Sequence, residues 1–549
     1  MTERPAAGAV GTPAGGDLGA AIVLAMALVF SIAVGAGLLN WALLQSPAWS
    51  GAVLVMALAV STTMVLRLRP ESGGHDRLAG LVLALPALGV SAVAGAGALR
   101  GAPDGIAWFL NGDHPRHVVY AADTWVQGNL SYTVEGYPHG WHSLLAAVWS
   151  LEGAGLDPAS ITRLLSVMAF CSLLLSALLA LSTAHLGRDL AVRLGLSRWA
   201  SMTIGLAAGA ATLLNVFLAN YQALGYENSL LAATVVAVCS REVLVRGGKV
   251  LSLAVCASGT VVLAHTWQLL LPVVAVAALW CGREAVRERG NRGMIAVVVL
   301  AVAALTLGAP AVLAVVQGVG IDHATETGPD SPVPLVLLGL GLASCVALAV
   351  REHDPQVRCV AVLAVIPSLL AVMLSIGLGV ALLHYYPSKL LWQSALLGLS
   401  PLAAASAVLA DRLLARGTGA RIVASRVGTV VVAVCVAYGL LLPWGSQAGA
   451  WTTVDASRVL TALSSARAPE STVVWLGGNP TTDSVTRILL DTFRVEATRE
   501  RAPQARLSVA QECELLEQAK APVVLSTEPE QRVRERYACV PGLTAVRVG

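Results

Sequence analysis

Apolar residues along this chain fall into runs of about 17–25 residues, separated by short polar or basic connections. At 1.5 Å per residue, each run is long enough to cross a hydrocarbon core of about 30 Å. Helices are expected, because lipid offers no hydrogen-bond partner to an open backbone amide. The pattern predicts about thirteen crossings, near residues 18–44, 51–67, 78–99, 161–186, 199–219, 229–245, 250–265, 267–282, 294–316, 333–350, 359–383, 389–410 and 427–443.

Basic residues concentrate on alternate connections, as the positive-inside rule expects of cytoplasmic loops. They are Arg67, Arg69, Arg77, Arg188, Arg193, Arg198, Arg241, Arg246, Lys249, Arg283, Arg287, Arg289, Arg292, Arg351, Arg358, Arg412, Arg416, Arg421 and Arg426. This alternation predicts a cytoplasmic N-terminal tail (residues 1–17), a transmembrane region (18–444) and a tail outside the cytoplasm (445–549).

The composition supports a membrane protein, which we expect in the plasma membrane. Of 549 residues, 56% are hydrophobic and only 13% are charged, whereas a soluble chain of this length would carry nearly twice that charge. The net charge of +3 is small, and no nucleic-acid-binding signature is present.

Two outward segments are too long to be simple connections. In the first, residues 100–160, the stretches Ala107–Leu130 and Pro138–Leu151 have the apolar spacing of amphipathic helices lying on the membrane surface. The second is the tail, in which two short β-rich runs, two helical patterns and a last strand predict a small α/β domain. Those elements are Thr472–Leu476, Pro522–Leu525, Ser484–Phe493, Ser508–Ala519 and Leu543–Val548.

The first loop contains a compact set of chemically active side chains. If a helix starts at Asp113, then Asp113, Arg116, His117 and Tyr120 share one face, so a carboxylate, a guanidinium and an imidazole meet there. The structural alternative is that Asp113 is only a helix N-cap, with Pro115 in the first turn.

His139 and His142 follow in the same loop, where Pro138 marks the start of a second helix and Trp141 and His142 turn toward the same side. Taken singly, histidine and aromatic residues often serve as membrane-interface anchors. Four of the ten histidines fall in this loop, however, which makes pure anchoring less plausible. A divalent metal stays open as an alternative, but the spacing of these histidines does not support a metal site, and we expect no required cofactor.

The segment His384-Tyr385-Tyr386-Pro387-Ser388-Lys389 lies between two predicted spans on the outer side. Lys389 departs from the positive-inside pattern, and its structural interpretation is a lysine that snorkels to the interface. Its functional interpretation is a ligand for an anionic lipid phosphate, with Tyr385 and Tyr386 as hydrogen-bond donors or sugar-stacking surfaces, and His384 beside them.

These three stretches resemble the GT-C superfamily of glycosyltransferases that use polyprenyl-phosphate sugars. The loop sequence Gly-Asp-His-Pro-Arg-His is similar to the Asp-Glu-x-Arg-Tyr loop of aminoarabinose transferases and protein mannosyltransferases. The Tyr-Tyr-x-x-Lys-Leu-Leu-Trp segment and the outward tail resemble actinobacterial arabinofuranosyltransferases. The resemblance carries the family's aspartate onto Asp113 and its arginine onto Arg116. His114 replaces the second acid of the family's pair, which argues against an acid-pair metal site.

The resemblance implies an inverting glycosyltransferase of the cell envelope. In this hypothesis Asp113 is the general base for an acceptor hydroxyl on a glycan, lipoglycan or protein, and the donor is a polyprenyl-phosphate-linked sugar such as arabinofuranose or mannose. The leaving phosphate would meet Lys389 and Arg116. Further candidates for that role are His117, His139, His142 and His384.

Other classes stay open at this point. A transporter or lipid flippase also needs many spans, although such proteins usually place ionisable residues near mid-membrane, and here the span interiors are nearly free of charge. A polysaccharide polymerase or ligase that uses a pyrophosphate-linked glycan would need a more basic outer loop. A non-catalytic assembly subunit is a further alternative.

The cysteines indicate little chemistry. Seven lie in or beside predicted spans without zinc-binding spacing. Cys513 and Cys539 lie in the predicted outward tail, where a disulfide would persist, but spacing alone leaves both their free and their bonded forms open.

Overall fold

The structure is a computed structural model. It describes residues 14–68, 77–110, 112–130, 138–218, 221–222, 224–318, 333–414, 453–465, 472–476, 480–490, 508–519 and 521–548.

Up to residue 414 the described chain is helical. Its helices are α1 (Ala14–Leu38), α2 (Pro47–Leu68), α3 (Arg77–Arg100), α4 (His114–Gln127), α5 (Gly140–Leu151), α6 (Pro158–Arg193), α7 (Arg198–Leu218), α8 (Glu227–Leu244), α9 (Lys249–Thr266), α10 (Leu271–Arg289), α11 (Asn291–Gly318), α12 (Leu335–Arg351), α13 (Pro355–Leu378), α14 (Tyr385–Leu397) and α15 (Leu399–Leu414).

Within the described residues, ten helical segments are long and apolar enough to cross a membrane. The chain is therefore a polytopic, membrane-embedded helical protein. Two further predicted spans form the helices α8 and α12, but α8 contains Glu227, Arg241 and Glu242, and α12 has only 17 residues. The span predicted at 427–443 lies outside the described residues.

Local sequence signals explain where two long helices begin. At α6 and α13 an Asp-Pro pair marks the start: the Asp157 and Asp354 side chains accept backbone N–H bonds from Ser160 and Gln356. Proline suits the next position because it has no N–H to leave unsatisfied.

Small residues let α6 and α7 pack closely. A Cβ atom added to Gly205 would lie 2.6 Å from the Ala184 carbonyl oxygen, and one added to Gly209 would lie 2.9 Å from the Ala180 oxygen. Helices inside a membrane associate through such close van der Waals contact, because lipid provides no hydrophobic driving force between them.

The two loop helices are packed against the bundle to different degrees. Helices form within both predicted stretches, but α5 is buried on nearly all sides and packs against α1, α2, α4, α6 and α9. α4 is also mostly buried. In α4, buried positions alternate with partly exposed ones, as in an amphipathic helix, whereas protein covers nearly every face of α5.

Several basic residues that the sequence assigned to connections lie inside helices and are buried. α6 continues to Arg193, beyond the predicted end of that span, and Arg188 and Arg241 both pair with Asp189 at 2.8 Å. The Arg193 guanidinium donates to the Leu244 carbonyl at the end of α8. Buried charges are retained where they pair and satisfy helix ends in this way.

The described tail contains a three-stranded parallel sheet. Its elements are α16 (Thr453–Ser465), β1 (Thr472–Trp475), α17 (Pro480–Leu490), α18 (Val509–Gln518), β2 (Val523–Ser526), α19 (Glu530–Arg536) and β3 (Thr544–Arg547). The strand order is β1-β2-β3, with Val474 opposite Leu525 and Leu525 opposite Val546. The strands form at the three predicted segments, whereas α16 and α19 were not predicted.

The two faces of the sheet belong to different cores. Val474 and Leu525 join the large core that continues into the helical bundle, whereas Val473 and Val524 join a smaller core with residues of α18 and α19. Alternating β residues point to opposite faces, so one strand serves both cores. Cys513 and Cys539 form a disulfide, and Cys513 packs against the smaller core.

The sheet is held against the first loop. α17 packs on α4, and α16 packs on α6. In α18, Glu512 accepts a hydrogen bond from Tyr537 at 2.8 Å and pairs with Arg487 of α17. The described tail and the loop helices therefore lie on the same side of the bundle.

This arrangement makes a prediction about sidedness. Reporter fusions after Gly155 and after Gly549 should report the same side of the membrane, because α17 packs on α4. A fusion after Leu414 should report the opposite side, since an odd number of predicted spans separates it from residue 155. Alkaline phosphatase and green fluorescent protein fusions measure this directly. Opposite sides for residues 155 and 549 would contradict the docking of the tail.

Candidate functional site

A close approach of two backbone segments fixes the start of α4. The Asp113 N–H donates to the Leu224 carbonyl at 2.9 Å. A Cβ added to Gly112 would lie 2.3 Å from that oxygen, and one added to Gly225 would lie 2.6 Å from the His114 nitrogen. Both glycines have positive φ angles, +59° and +77°. Each of these two positions therefore requires glycine for two reasons: the backbone conformation and the lack of space for a Cβ atom.

Asp113 occupies the N-cap position of α4, but its side chain makes no capping hydrogen bond. Instead, the Tyr385 hydroxyl donates to Asp113 Oδ2 at 2.8 Å. Asp113 is thus the N-cap residue, as the capping interpretation predicts, but its carboxylate binds Tyr385 and does not cap the helix. This bond joins residues 272 positions apart, so the fold brings the first loop to the start of α14.

Lys389 lies one helical turn after Tyr385 and points into the protein. Its side chain is only 7% exposed, and its ammonium lies 3.6 Å from the Tyr226 ring centroid and 3.8 Å from that of Tyr385. The snorkelling interpretation is therefore wrong. Aromatic faces attract a cation through their quadrupole.

The charges around Lys389 are unusual for a buried lysine. The carboxylates of Asp113 and Glu227 both act on its ammonium. Among the described residues, neither forms a direct ion pair with it. The ammonium is thus attracted by two anions and held by two rings, which leaves its own donors for another partner.

Glu227 begins α8 and is buried beneath the first loop. Its Oε1 lies 2.6 Å from His114 Nε2 and accepts a bond from Ser172, while its Oε2 lies 3.5 Å from His117 Nε2. The His114 ring stacks on Phe109 with centroids 3.9 Å apart. A carboxylate is also favoured at a helix N-terminus.

His117 links Glu227 to the second loop helix. Its Nε2 lies 2.9 Å from the Gly225 carbonyl oxygen, which can only accept, so Nε2 carries the proton. In the neutral ring, Nδ1 then accepts from His142 Nε2 at 2.8 Å. Burial lowers the pKa of His117, and burial together with His117 and His139 lowers that of His142 well below its ordinary value.

Tyr120 and His139 complete this group of rings. The Tyr120 centroid lies 5.4 Å from that of His139 and 5.2 Å from that of His142. His139 is at the N-terminal end of α5 and retains 9% exposure.

The structure thus gathers most of the predicted residues. In the first group, Tyr385 contacts Asp113, Lys389 and Tyr386. The second group is His117, His139 and His142. Two predicted residues are not brought in by side-chain contacts. Arg116 is half-buried without an ion-pair partner among the described residues, and His384 precedes α14 with its Nδ1 buried and unpartnered there.

Sequence reasoning missed Glu227, Tyr226 and the role of His114. The available signal was a single carboxylate at the end of an apolar run, next to a short connection. Glu227 supplies a second carboxylate to the site, where it pairs with His114.

No group of three or more His, Cys, Asp or Glu side chains in the described part of the chain is placed to hold a metal ion. No protein-family model, curated protein or solved structure matches this chain. The chemistry of the site is therefore inferred from its own residues.

The backbone contact at Gly225 predicts a specific loss of stability. Gly225→Ala should lower the unfolding temperature more than Gly153→Ala, since both glycines have positive φ but only Gly225 has neighbours that a Cβ would strike. The control should cost about 1–2 kcal/mol from conformation alone. Thermal unfolding in detergent measures both. Equal shifts would mean that the Leu224–Gly225 segment does not press on α4.

Proposed function

We propose that this chain is a membrane glycosyltransferase that takes its sugar from a polyprenyl-phosphate donor. The observation that carries the proposal is the hydrogen bond from Tyr385 to Asp113, beside the buried ammonium of Lys389. A base, a hydroxyl donor and a cation converge there from distant segments, which is the set that sugar transfer from a phosphate requires.

Asp113 is the general base in this proposal. Tyr385 holds Oδ2, which orients the carboxylate so that Oδ1 receives the acceptor hydroxyl proton. The acceptor oxygen attacks the anomeric carbon, the bond to the phosphate oxygen breaks, and the configuration at that carbon inverts. Asp113 is half-buried, so the acceptor approaches from its exposed side.

Lys389 is the cation for the leaving phosphate. Its ammonium lacks a direct ion pair within the described residues and is preorganised by Tyr226 and Tyr385. Preorganised charge directed at a developing anion is often the largest catalytic contribution. Arg116, also without an ion-pair partner in that part of the chain, and His384 are additional candidates. His117 and His142 hydrogen-bond to each other, so we withdraw the phosphate-binding role that the sequence assigned to them.

A lipid-linked donor follows from the proposed orientation. The distribution of basic residues puts the first loop outside the cytoplasm, in the plasma membrane, where nucleotide sugars are scarce. A sugar on a polyprenyl phosphate reaches that face within the membrane. The GT-C resemblance favours arabinofuranose, mannose or a similar sugar, and a glycan, lipoglycan or protein of the cell envelope as acceptor.

A transporter or lipid flippase is the second candidate. The observation in its favour is a buried group of charges near the C-terminal end of α6, where Asp189 pairs with both Arg188 and Arg241. Intramembrane ionisable residues often mark transport pathways. These charges are paired, however, which suits a structural role. Flipping of labelled lipid by purified protein in vesicles, without any glycosidic product, would favour this candidate.

Replacement of the base is the first test. Asp113→Asn should lower sugar transfer by about 10²–10⁴-fold, because the amide cannot take a proton. Transfer from a synthetic polyprenyl-phosphate sugar to an acceptor oligosaccharide is measured per amount of monodisperse protein. Asp104→Asn is the matched control, an exposed carboxylate in the same loop. Full activity of Asp113→Asn with an intact fold would exclude Asp113 as the base.

Replacement of the cation is the second test. Lys389→Met should weaken use of the donor by roughly 3–4 kcal/mol, the contribution of one preorganised donor. The control is Lys249→Met, which removes another buried lysine that bonds to the Glu242 and Val243 carbonyls at the end of α8. Donor kinetics are measured for both variants. Unchanged kinetics in Lys389→Met would remove Lys389 from the site.

A further inference from the structure

One side of α4 carries a row of polar residues that begins at the proposed base, here called the α4 stripe. Its members recur at intervals of three or four residues and so share one face of the helix: Asp113, Arg116, Tyr120, Asp123 and Gln127. Each of them is at least partly exposed, whereas positions on the opposite face of the helix are buried. At 1.5 Å per residue, the stripe extends about 20 Å from the base.

Tyr120 lies two helical turns along this stripe, about 10 Å from Asp113 along the helix axis. Its ring centroid is 5.4 Å from that of His139 and 5.2 Å from that of His142, and both pairs meet edge to face. The ring of His117 lies 6.4 Å from that of Tyr120, and His117 is itself hydrogen-bonded to His142 at 2.8 Å. These contacts fix the position of a tyrosine ring that remains partly exposed.

The α4 stripe combines the side chains that bind sugars. A sugar ring has hydroxyl groups around its edge and C–H groups on its faces, so carboxylates and amides bind it together with an aromatic ring. Tyr120 supplies the aromatic ring, and Asp123 and Gln127 supply a carboxylate and an amide. A peptide is usually held by an open strand edge or by apolar pockets, whereas this stripe is a row of polar and aromatic residues on a helix.

We infer that Tyr120, Asp123 and Gln127 form a subsite for a glycan acceptor that lies along α4. This inference rests on the proposed glycosyltransferase function and narrows its acceptor to a glycan. The sugar whose hydroxyl reacts lies at Asp113. The sugars behind it stack on Tyr120 and donate hydroxyl hydrogen bonds to Asp123, whose carboxylate can accept several. Arg116 stays a candidate for the donor phosphate.

The test compares a short acceptor with a long one, because only the long one reaches Tyr120. The probes are the methyl glycoside of mannose and a linear mannosyl tetrasaccharide, with the two arabinofuranosyl equivalents in parallel, and the donor is a polyprenyl-phosphate sugar. For the wild-type protein, KM should be at least about tenfold lower for the tetrasaccharide than for the methyl glycoside, which corresponds to one stacking contact and one hydrogen bond.

Tyr120→Leu should reduce this ratio of KM values to less than about threefold, because the stacking surface is lost. Asp123→Ala is the second variant and should lower the ratio in the same direction. Tyr120→Phe retains the ring and should restore most of the ratio lost in Tyr120→Leu. A general loss of folded protein does not change a ratio between two acceptors measured on the same sample. The control is Trp199→Ala, an exposed aromatic residue at the start of α7, which should keep the wild-type ratio.

Three results would overturn the subsite while leaving the transferase function in place. They are equal KM values for the two glycosides in the wild-type protein, a wild-type ratio in both Tyr120→Leu and Asp123→Ala, and transfer to a serine-containing peptide but to neither glycoside. A wild-type protein that transfers no sugar to any of these acceptors would overturn the proposed function, and the acceptor subsite with it.

Discussion

The site depends on the contact between the Leu224–Gly225 backbone and the beginning of α4. Two glycines with positive φ let the chains approach so closely that the Asp113 N–H reaches the Leu224 carbonyl. That contact places Asp113 against Tyr385, and it places Glu227 beneath the loop histidines. The arrangement of side chains at this site is thus a consequence of backbone packing, and larger residues at the two glycines would separate Asp113 from its partners.

The large features of the fold could be predicted from the sequence because membrane lipid imposes a simple rule. Apolar runs must become helices, and twelve predicted spans coincide with described helices, although two of these are too polar or too short to count among the ten clear candidates. The burial of nearly every face of α5 could not be predicted. The surface of a short apolar helix looks the same in sequence whether lipid or protein covers it, and only long-range packing decides between them.

The same reasoning explains which site residues were found. Asp113, Tyr385 and Lys389 stood out because polar groups at the ends of apolar runs are costly without a purpose. Their convergence needed the fold, since Asp113 and Tyr385 are 272 positions apart. Glu227 was overlooked because one acidic residue before a helix usually serves only the helix N-terminus. In the structure it also pairs with the buried His114 of the first loop.

The central claim is that Lys389 and Asp113 form a site for a lipid phosphate joined to a sugar. Mass spectrometry of lipid that copurifies with the protein in mild detergent tests it most directly. Wild-type protein should retain a polyprenyl phosphate or its glycosylated form, and Lys389→Met protein should retain much less of it under the same conditions. If both proteins carry only bulk phospholipid in equal amounts, the buried ammonium does not bind such a donor and the account is wrong.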